Sequence, residues 1–316
     1  MLGEFIQHAL MAQPKWVRRM GYGREMVALE ARHGRCREAW RPHLDASRRL
    51  IGRAAASAPR TGRAVVLGSG PLLDIPLEDL AARFDRVELV DIVHPRSTRR
   101  RVRKLANVDL VEADVSGAAF DIYGLAITAE PAEKRPPPPI GLRGQSCAVI
   151  HKTITETAAL GAALTTLPEP KPDDGLVAGA DFVVSANLMS QLALLPLDWV
   201  ASECPWADET AQLGFARQVV DHHLALLRRA AEAGTRVTLI TEVLRLVSDA
   251  NDRPLEKIDP LFGAQIFSVG EEWWWEVAPM GERWPDAAAK LRVLGIADLA
   301  AAPQSRVCRN TTLAAP

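Results

Sequence analysis

The stretch AVVLGSGPLLDIP, residues 64–76, limits what this chain can become more than any other. Apolar residues on successive positions bury both faces of the segment, which describes a strand held between two layers of helices in a parallel sheet. The run stops at Gly68-Ser69-Gly70, where the chain must turn sharply and where bare backbone lets another molecule approach. Pro71 stiffens the exit, and Pro76 near the start of the next helix costs no hydrogen bond. In open α/β sheets such a turn lies at the carboxyl edge of the strands, beside the point where strand order reverses and ligands bind. The following helix is expected to offer free N–H groups to that ligand.

The same alternation continues downstream. LEDLAARF (77–84) reads as a short amphipathic helix, and VELVD (87–91) and VDLVEAD (108–114) as second and third strands. DFVVSAN (181–187) is a fourth strand, RVTLITEV (236–243) a fifth, and the helix of 209–234 between them closes on Gly234. WWWEVAPM (273–280) reads as a late strand, and LRVLGIADL (291–299) as a last strand or a helix. The expected fold is α/β: a doubly wound, mostly parallel, seven-stranded sheet.

Two segments stand outside this pattern. Residues 1–60 read as a helical N-terminal extension, with one long helix over 24–57 that Pro42 breaks or kinks. Residues 61–316 form the α/β domain, which carries an insertion at 117–178 between the third and fourth strands. That insertion contains PPPP at 136–139, which is stiff, extended and unsuited to a core. A lid over the ligand edge and a passive surface loop are both open for it.

Composition narrows the class. The chain has 316 residues and a formal net charge of −1, which argues against a general nucleic-acid binder. Residues 1–63 nonetheless carry a net +8. A second basic stretch, Arg96, Arg99, Arg100, Arg101, Arg103 and Lys104, follows the second strand. A solvated helix face accounts for both; an RNA contact through the two together is the alternative. Cys36, Cys147, Cys204 and Cys308 are too scattered for a metal knuckle or a redox pair. No metal is expected, and single cysteines suit a reducing cytoplasm. The N-terminal segment lacks the unbroken apolar stretch of a signal peptide, and no run is long enough to span a membrane.

Asp91 ends the second strand, 23 residues after Gly68. A carboxylate there can take both hydroxyls of an adenosine-type ribose. Asp114 ends the third, where it can accept from an adenine amine while the Val115 N–H donates to the ring; a plain turn before Ser116 and Gly117 is the other reading. VVLGSG, the acid of VELVD, the acid of VDLVEAD and DFVVSANLMSQL together resemble the class I S-adenosylmethionine-dependent methyltransferases, over about residues 62–118 and 178–245. The resemblance implies a Rossmann-like fold and S-adenosylmethionine as cofactor. It places Leu67, Gly68, Ser69 and Gly70 along the methionine and ribose, Asp91 and Ile92 at the ribose, and Asp114 and Val115 at the adenine. Asn187 would face the methyl group and its acceptor, as the candidate catalytic residue; capping the helix LMSQLALL is its other use. The acceptor expected is a small molecule, and the oligomeric state is left open.

The chain departs from the family at Val66, where an acidic residue is usual, and at Leu72 and Leu73, where a third glycine is missing. Those departures keep open a non-catalytic nucleotide-binding protein on the same fold. An NAD(P)-binding Rossmann oxidoreductase is the other alternative. Against it, Leu73 stands where close helix–strand packing needs Gly or Ala, and neither Tyr22 nor Tyr123 is followed by a lysine four residues on. His94, His151 and Glu242 lie near enough to the ligand edge to be weighed for catalysis. His222 and His223 read as structural, and Trp273, Trp274 and Trp275 as a terminal strand packed on both sides.

Overall fold

The computed structural model describes residues 11–128, 167–203 and 207–301. PPPP, His151 and the expected helix over 152–166 lie outside the described residues, and with them the test of the lid.

Three helices lead into the sheet: α1 (Lys15–Met20), α2 (Tyr22–Arg35) and α3 (Arg37–Ala56). The long helix expected over 24–57 therefore divides at Cys36 rather than at Pro42. Pro42 lies inside α3, near enough to its start that one intrahelical hydrogen bond is forgone. The alternating part follows as β1 (Arg63–Leu67), α4 (Leu77–Arg83), β2 (Arg86–Asp91), α5 (Arg96–Val102), β3 (Val108–Glu112), α6 (Ala119–Thr128), β4 (Phe182–Ala186), α7 (Leu194–Glu203), α8 (Glu209–Glu232) and β5 (Arg236–Asp249). It ends with β6 (Pro254–Ile258), β7 (Glu271–Ala278) and β8 (Ala287–Ile296). LRVLGI is thus strand, with the segment before it, and the chain turns at 297–299.

The sheet runs β3-β2-β1-β4-β5-β8-β7, with β6 paired to β5 outside that path. Its first five strands are parallel, and β8 enters antiparallel between β5 and β7. The eighth strand, β6, is one more than expected. It pairs with Arg245–Ser248, beyond the point where β4 leaves β5 after Ile240. Strand order reverses between β1 and β4, so the ligand edge lies above their carboxyl ends.

Alternate residues of β1 serve two cores. Ala64 and Val66 pack with Trp40, Leu50, Ile51 and Ala54 of α3 on one face. Val65 and Leu67 pack with Val220, Leu224 and Leu227 of α8 on the other. α3 is therefore a covering layer of the sheet itself. α6, which falls inside the segment expected as insertion, is the crossover helix after β3. It packs with α7 and with Met20 of α1. The chain comes back beside the same turn: Lys171 N–H donates to Gly117 O at 3.0 Å. A Cβ at Gly117 would lie 2.2 Å from the Lys171 backbone, and its φ of +64° independently favours glycine.

Candidate functional site

The glycine turn is a longer structure than the sequence suggested. β1 ends at Leu67 and α4 begins only at Leu77, so residues 68–76 form a loop and no helix N-terminus abuts Gly70. Gly68, Gly70 and Leu72 all have positive φ, at 73°, 47° and 58°. For a leucine that is a strained conformation. Leu72 is held there by burial in the α3 core, which needs its side chain where a third glycine would offer none. A Cβ on Gly68 would collide with Leu188 after β4, whereas a Cβ on Gly70 would meet nothing within 4 Å. The loop thus has no room for a side chain at Gly68 and leaves space beside Gly70.

Asp91 ties this loop to β2. Its Oδ2 accepts from Gly70 N–H and its Oδ1 from Ile92 N–H, both at 2.8 Å. Gly68 N–H and Ser69 N–H both donate to Val90 O, and Thr98 Oγ1 donates to Gly70 O at 2.8 Å. Burial raises the Asp91 carboxyl to about 6 against the pull of its backbone donors. Each oxygen keeps capacity for a further hydrogen bond, and the side chain is only partly buried.

Asp114 is engaged differently. Oδ1 accepts from Ser116 N–H (2.9 Å) and Ser116 Oγ (2.6 Å), and Oδ2 from Ala119 N–H (2.8 Å). It shapes the turn into α6, the plainer of the two expectations. Leu67 and Val115 are buried in the α8-side core, so only their backbones can face a ligand. Ile92 packs against Trp16 and Tyr22 of the leading helices. Ser69 Oγ reaches His94 Nδ1 at 3.5 Å, and His94 Nε2 reaches Val111 O at 3.2 Å. Fully buried, His94 stays neutral and fastens the loop to β3. Similarly, His223 meets Ser185 Oγ at 2.9 Å inside the sheet–helix layer, and His222 meets Pro170 O at 2.6 Å.

Tyr22 is a contributor that sequence reasoning missed. Burial pushes its phenol well up, and the nearby Asp114 and Asp91 carboxylates add to that. The leading helices thus bring an aromatic hydroxyl near the two strand-end acids. No short motif signals this, because Tyr22 lies far from both in sequence.

Asn187 stands at the β4 end with φ 51°. Its Nδ2 donates to Asp74 Oδ2 at 2.6 Å and lies 3.3 Å from His43 Nε2. His43 in turn accepts from Trp273 Nε1 at 3.0 Å. Glu242 is only 2% exposed; Ser190 Oγ donates to its Oε2, and Gln191 is a further side-chain partner of the carboxyl. Burial raises the Glu242 carboxyl, and Asp74 nearby adds to the rise. Among the described residues no group of three or more His, Cys, Asp or Glu is arranged to hold a metal, and no helix is long and apolar enough to cross a membrane.

With its switch point at β1/β4 and antiparallel β8 beside β5, the sheet is of a doubly wound, Rossmann-like type. No protein-family model matches the chain, and no curated protein matches it. Solved structures resemble it at low identity. A DhpI complex with SAM and HEP aligns over 89% of this chain and 99% of its own, at 11% identity and a TM-score of 0.34. The 1,6-didemethyltoxoflavin-N1-methyltransferase of Burkholderia thailandensis, with 1,6-didemethyltoxoflavin and S-adenosylhomocysteine bound, aligns over 90% and 91%, at 11% and 0.36. The 23S rRNA methyltransferase ErmE aligns over 82% and 70%, at 14% and 0.24.

Proposed function

We propose that this protein transfers a methyl group from S-adenosylmethionine to a small-molecule acceptor. The observation that carries the reading is Asp91: a strand-end carboxylate beside the switch point, anchored to Gly70, whose Cβ position is empty space, with hydrogen-bonding capacity to spare. Neighbouring hydroxyls of a ribose satisfy that capacity, and Tyr22 and Ile92 are the apolar side chains next to Asp91 for the base to meet. Ser69 and Gly70 present backbone toward the methionine part.

Bound there, S-adenosylmethionine supplies an electrophilic methyl on a sulfonium, open to in-line displacement. The chain's task is then to hold the acceptor atom in line and to receive its proton. Asn187 follows the end of β4, Glu242 lies on β5 two residues past its last pair with β4, and the two fit those roles.

The small-molecule reading is preferred over RNA because the basic stretch after β2 is partly spent on ion pairs. Arg99 pairs with Glu112, and Arg101 with Glu78. Calorimetry with S-adenosylhomocysteine, S-adenosylmethionine and NAD tests the cofactor. Binding of the first two without NAD is expected; NAD alone would end the reading. Cofactor binding with no methyl transfer to any acceptor would favour a binding protein on the same fold.

A further inference from the structure

Five of the six exposed large apolar side chains among the described residues fall between 255 and 280: Leu255, Phe267, Val269, Trp274 and Met280. The rest of the described chain holds only Phe120. Exposed apolar side chains gathered in one region mark a surface that another molecule covers. These five lie on β6 and β7, between them or just past β7, toward the edge of the sheet opposite β2 and Asp91.

The pairing of β7 with β8 lays out the centre of the region. Trp273 and Trp275 face α3, so Glu272, Trp274 and Glu276 point to the other side. On that side Trp274 is paired with Arg292 and Glu272 with Leu294, and Lys290 comes opposite the bulge that holds Glu276. Arg292 and Lys290 are paired in turn with Leu244 and Leu246 of β5. The face therefore carries an acidic and aromatic column on β7, a basic column on β8 and an apolar column on β5. Arg292 is half-buried, and its Nε has no hydrogen-bond partner among the described residues. Lys290 meets the exposed Asp252, in the turn between β5 and β6, at 3.7 Å.

A second copy of the chain fits these columns. A two-fold axis running along the strands, between β7 and β8, lays the β7 column of one copy over the β8 column of the other. Trp274 then meets Arg292 and Glu276 meets Lys290, each twice by symmetry. An axis across the strands at Trp274 would instead set Glu272 over Glu276, and an axis along β8 would set Arg292 over Arg292; like charges oppose both. Pairing two β7 edges about Trp274 would also bring Glu272 against Glu276, which guards the edge.

We propose that the uncovered face of β7 and β8 is the interface of a homodimer with the axis between those strands, centred on Trp274 of each copy packed against Arg292 of the other. The guanidinium is attracted to the indole face, and the four acidic and basic side chains outside Trp274 and Arg292 fix the axis. Two strands per copy make a small interface, so a dissociation constant of about 10 µM is expected. The proposal does not depend on the methyl-transfer reading.

Sedimentation velocity from about 1 to 300 µM spans that constant and tests the proposal. The wild type is expected to pass from monomer to dimer over the range; at its lower end unfolding measurements read the monomer alone. Trp274→Ala is expected to weaken association about tenfold, with an unchanged far-ultraviolet circular dichroism spectrum. Glu276→Lys and Lys290→Glu are each expected to weaken self-association about tenfold. An equimolar mixture of those two is expected to recover association, because the mixed dimer sets both lysines of one chain on both glutamates of the other. A monomer at every concentration overturns the proposal, whether another part of the chain or nothing covers the face. A dimer that Trp274→Ala leaves intact places the interface elsewhere, and a mixture that stays monomeric excludes the axis; either result also overturns it.

Discussion

The imidazole of His43 lies flat on the indole of Trp275, with ring centroids 4.1 Å apart and planes 4° from parallel. Trp40 meets the other side of the contact edge-on, 5.0 Å from Trp275. This stack joins α3 to β7. It explains the run of three tryptophans: Trp273 and Trp275 face α3, while Trp274 points outward and is 48% exposed. The expectation that the strand is packed on both sides therefore fails at Trp274 among the described residues, where no helix covers that face of β7.

The two faces should answer differently to truncation. Trp275→Ala is expected to cost about 3–5 kcal/mol, as removal of a large core aromatic does. Trp274→Ala should stay within about 0.5 kcal/mol. Urea unfolding of both variants checks this, and equal losses would place β7 wrongly.

Buried His223 makes stability depend on pH. Its pKa is lowered to about 4 by burial, so the folded chain refuses a proton that the unfolded chain accepts below about 6.5. Its contribution is complete above that value and is lost as pH falls toward 4, at about 1.4 kcal/mol per pH unit. Asp91, raised to about 6, acts in the opposite sense: it favours the folded state at low pH, and that contribution is lost as pH rises through 6. The His223 effect is therefore read by difference. The stability of the wild type minus that of His223→Gln should decline between pH 6.5 and 4; a flat difference would mean that the imidazole is protonated in place.

Gly68 and Gly70 separate folding from binding. Gly68→Ala drives a methyl into Leu188 at a φ of 73°, so thermal unfolding should show a clear loss. Gly70→Ala meets open space, and its cost should be near the roughly 1 kcal/mol of a non-glycine residue at positive φ. Gly70→Ala should nevertheless weaken S-adenosylhomocysteine, because the methyl fills the side from which the ligand approaches. Undiminished affinity in that variant would place the ligand elsewhere.

The parallel half of the sheet was legible because double burial writes itself as unbroken apolar runs, as in AVVL and FVVSA. β6 was not: PLEKI begins on proline, carries Glu256 and Lys257, and pairs only along one edge of β5. The Gly68–Gly70 turn and Asp91 were found from local spacing, and the structure joins them. His43 escaped notice because its partners, Asn187 and Trp273, lie 144 and 230 residues away. Asp74 went unremarked because its partner Asn187 lies 113 residues away. Glu242 was placed at the right rim, but Ser190 and Asp74 became its neighbours only through the meeting of two strand ends.

The central claim is that Asp91 holds the cofactor's ribose. Its most direct measurement is the affinity for S-adenosylhomocysteine of the wild type, Asp91→Asn and Asp91→Ala, with thermal unfolding as control. Charge-assisted hydrogen bonds of about 1.5–3 kcal/mol predict that Asp91→Ala binds about ten- to a hundredfold more weakly, with Asp91→Asn between. Wild-type affinity should also weaken as pH falls below about 6, where the carboxylate takes up a proton. A folded Asp91→Ala that binds as tightly as the wild type would contradict the account.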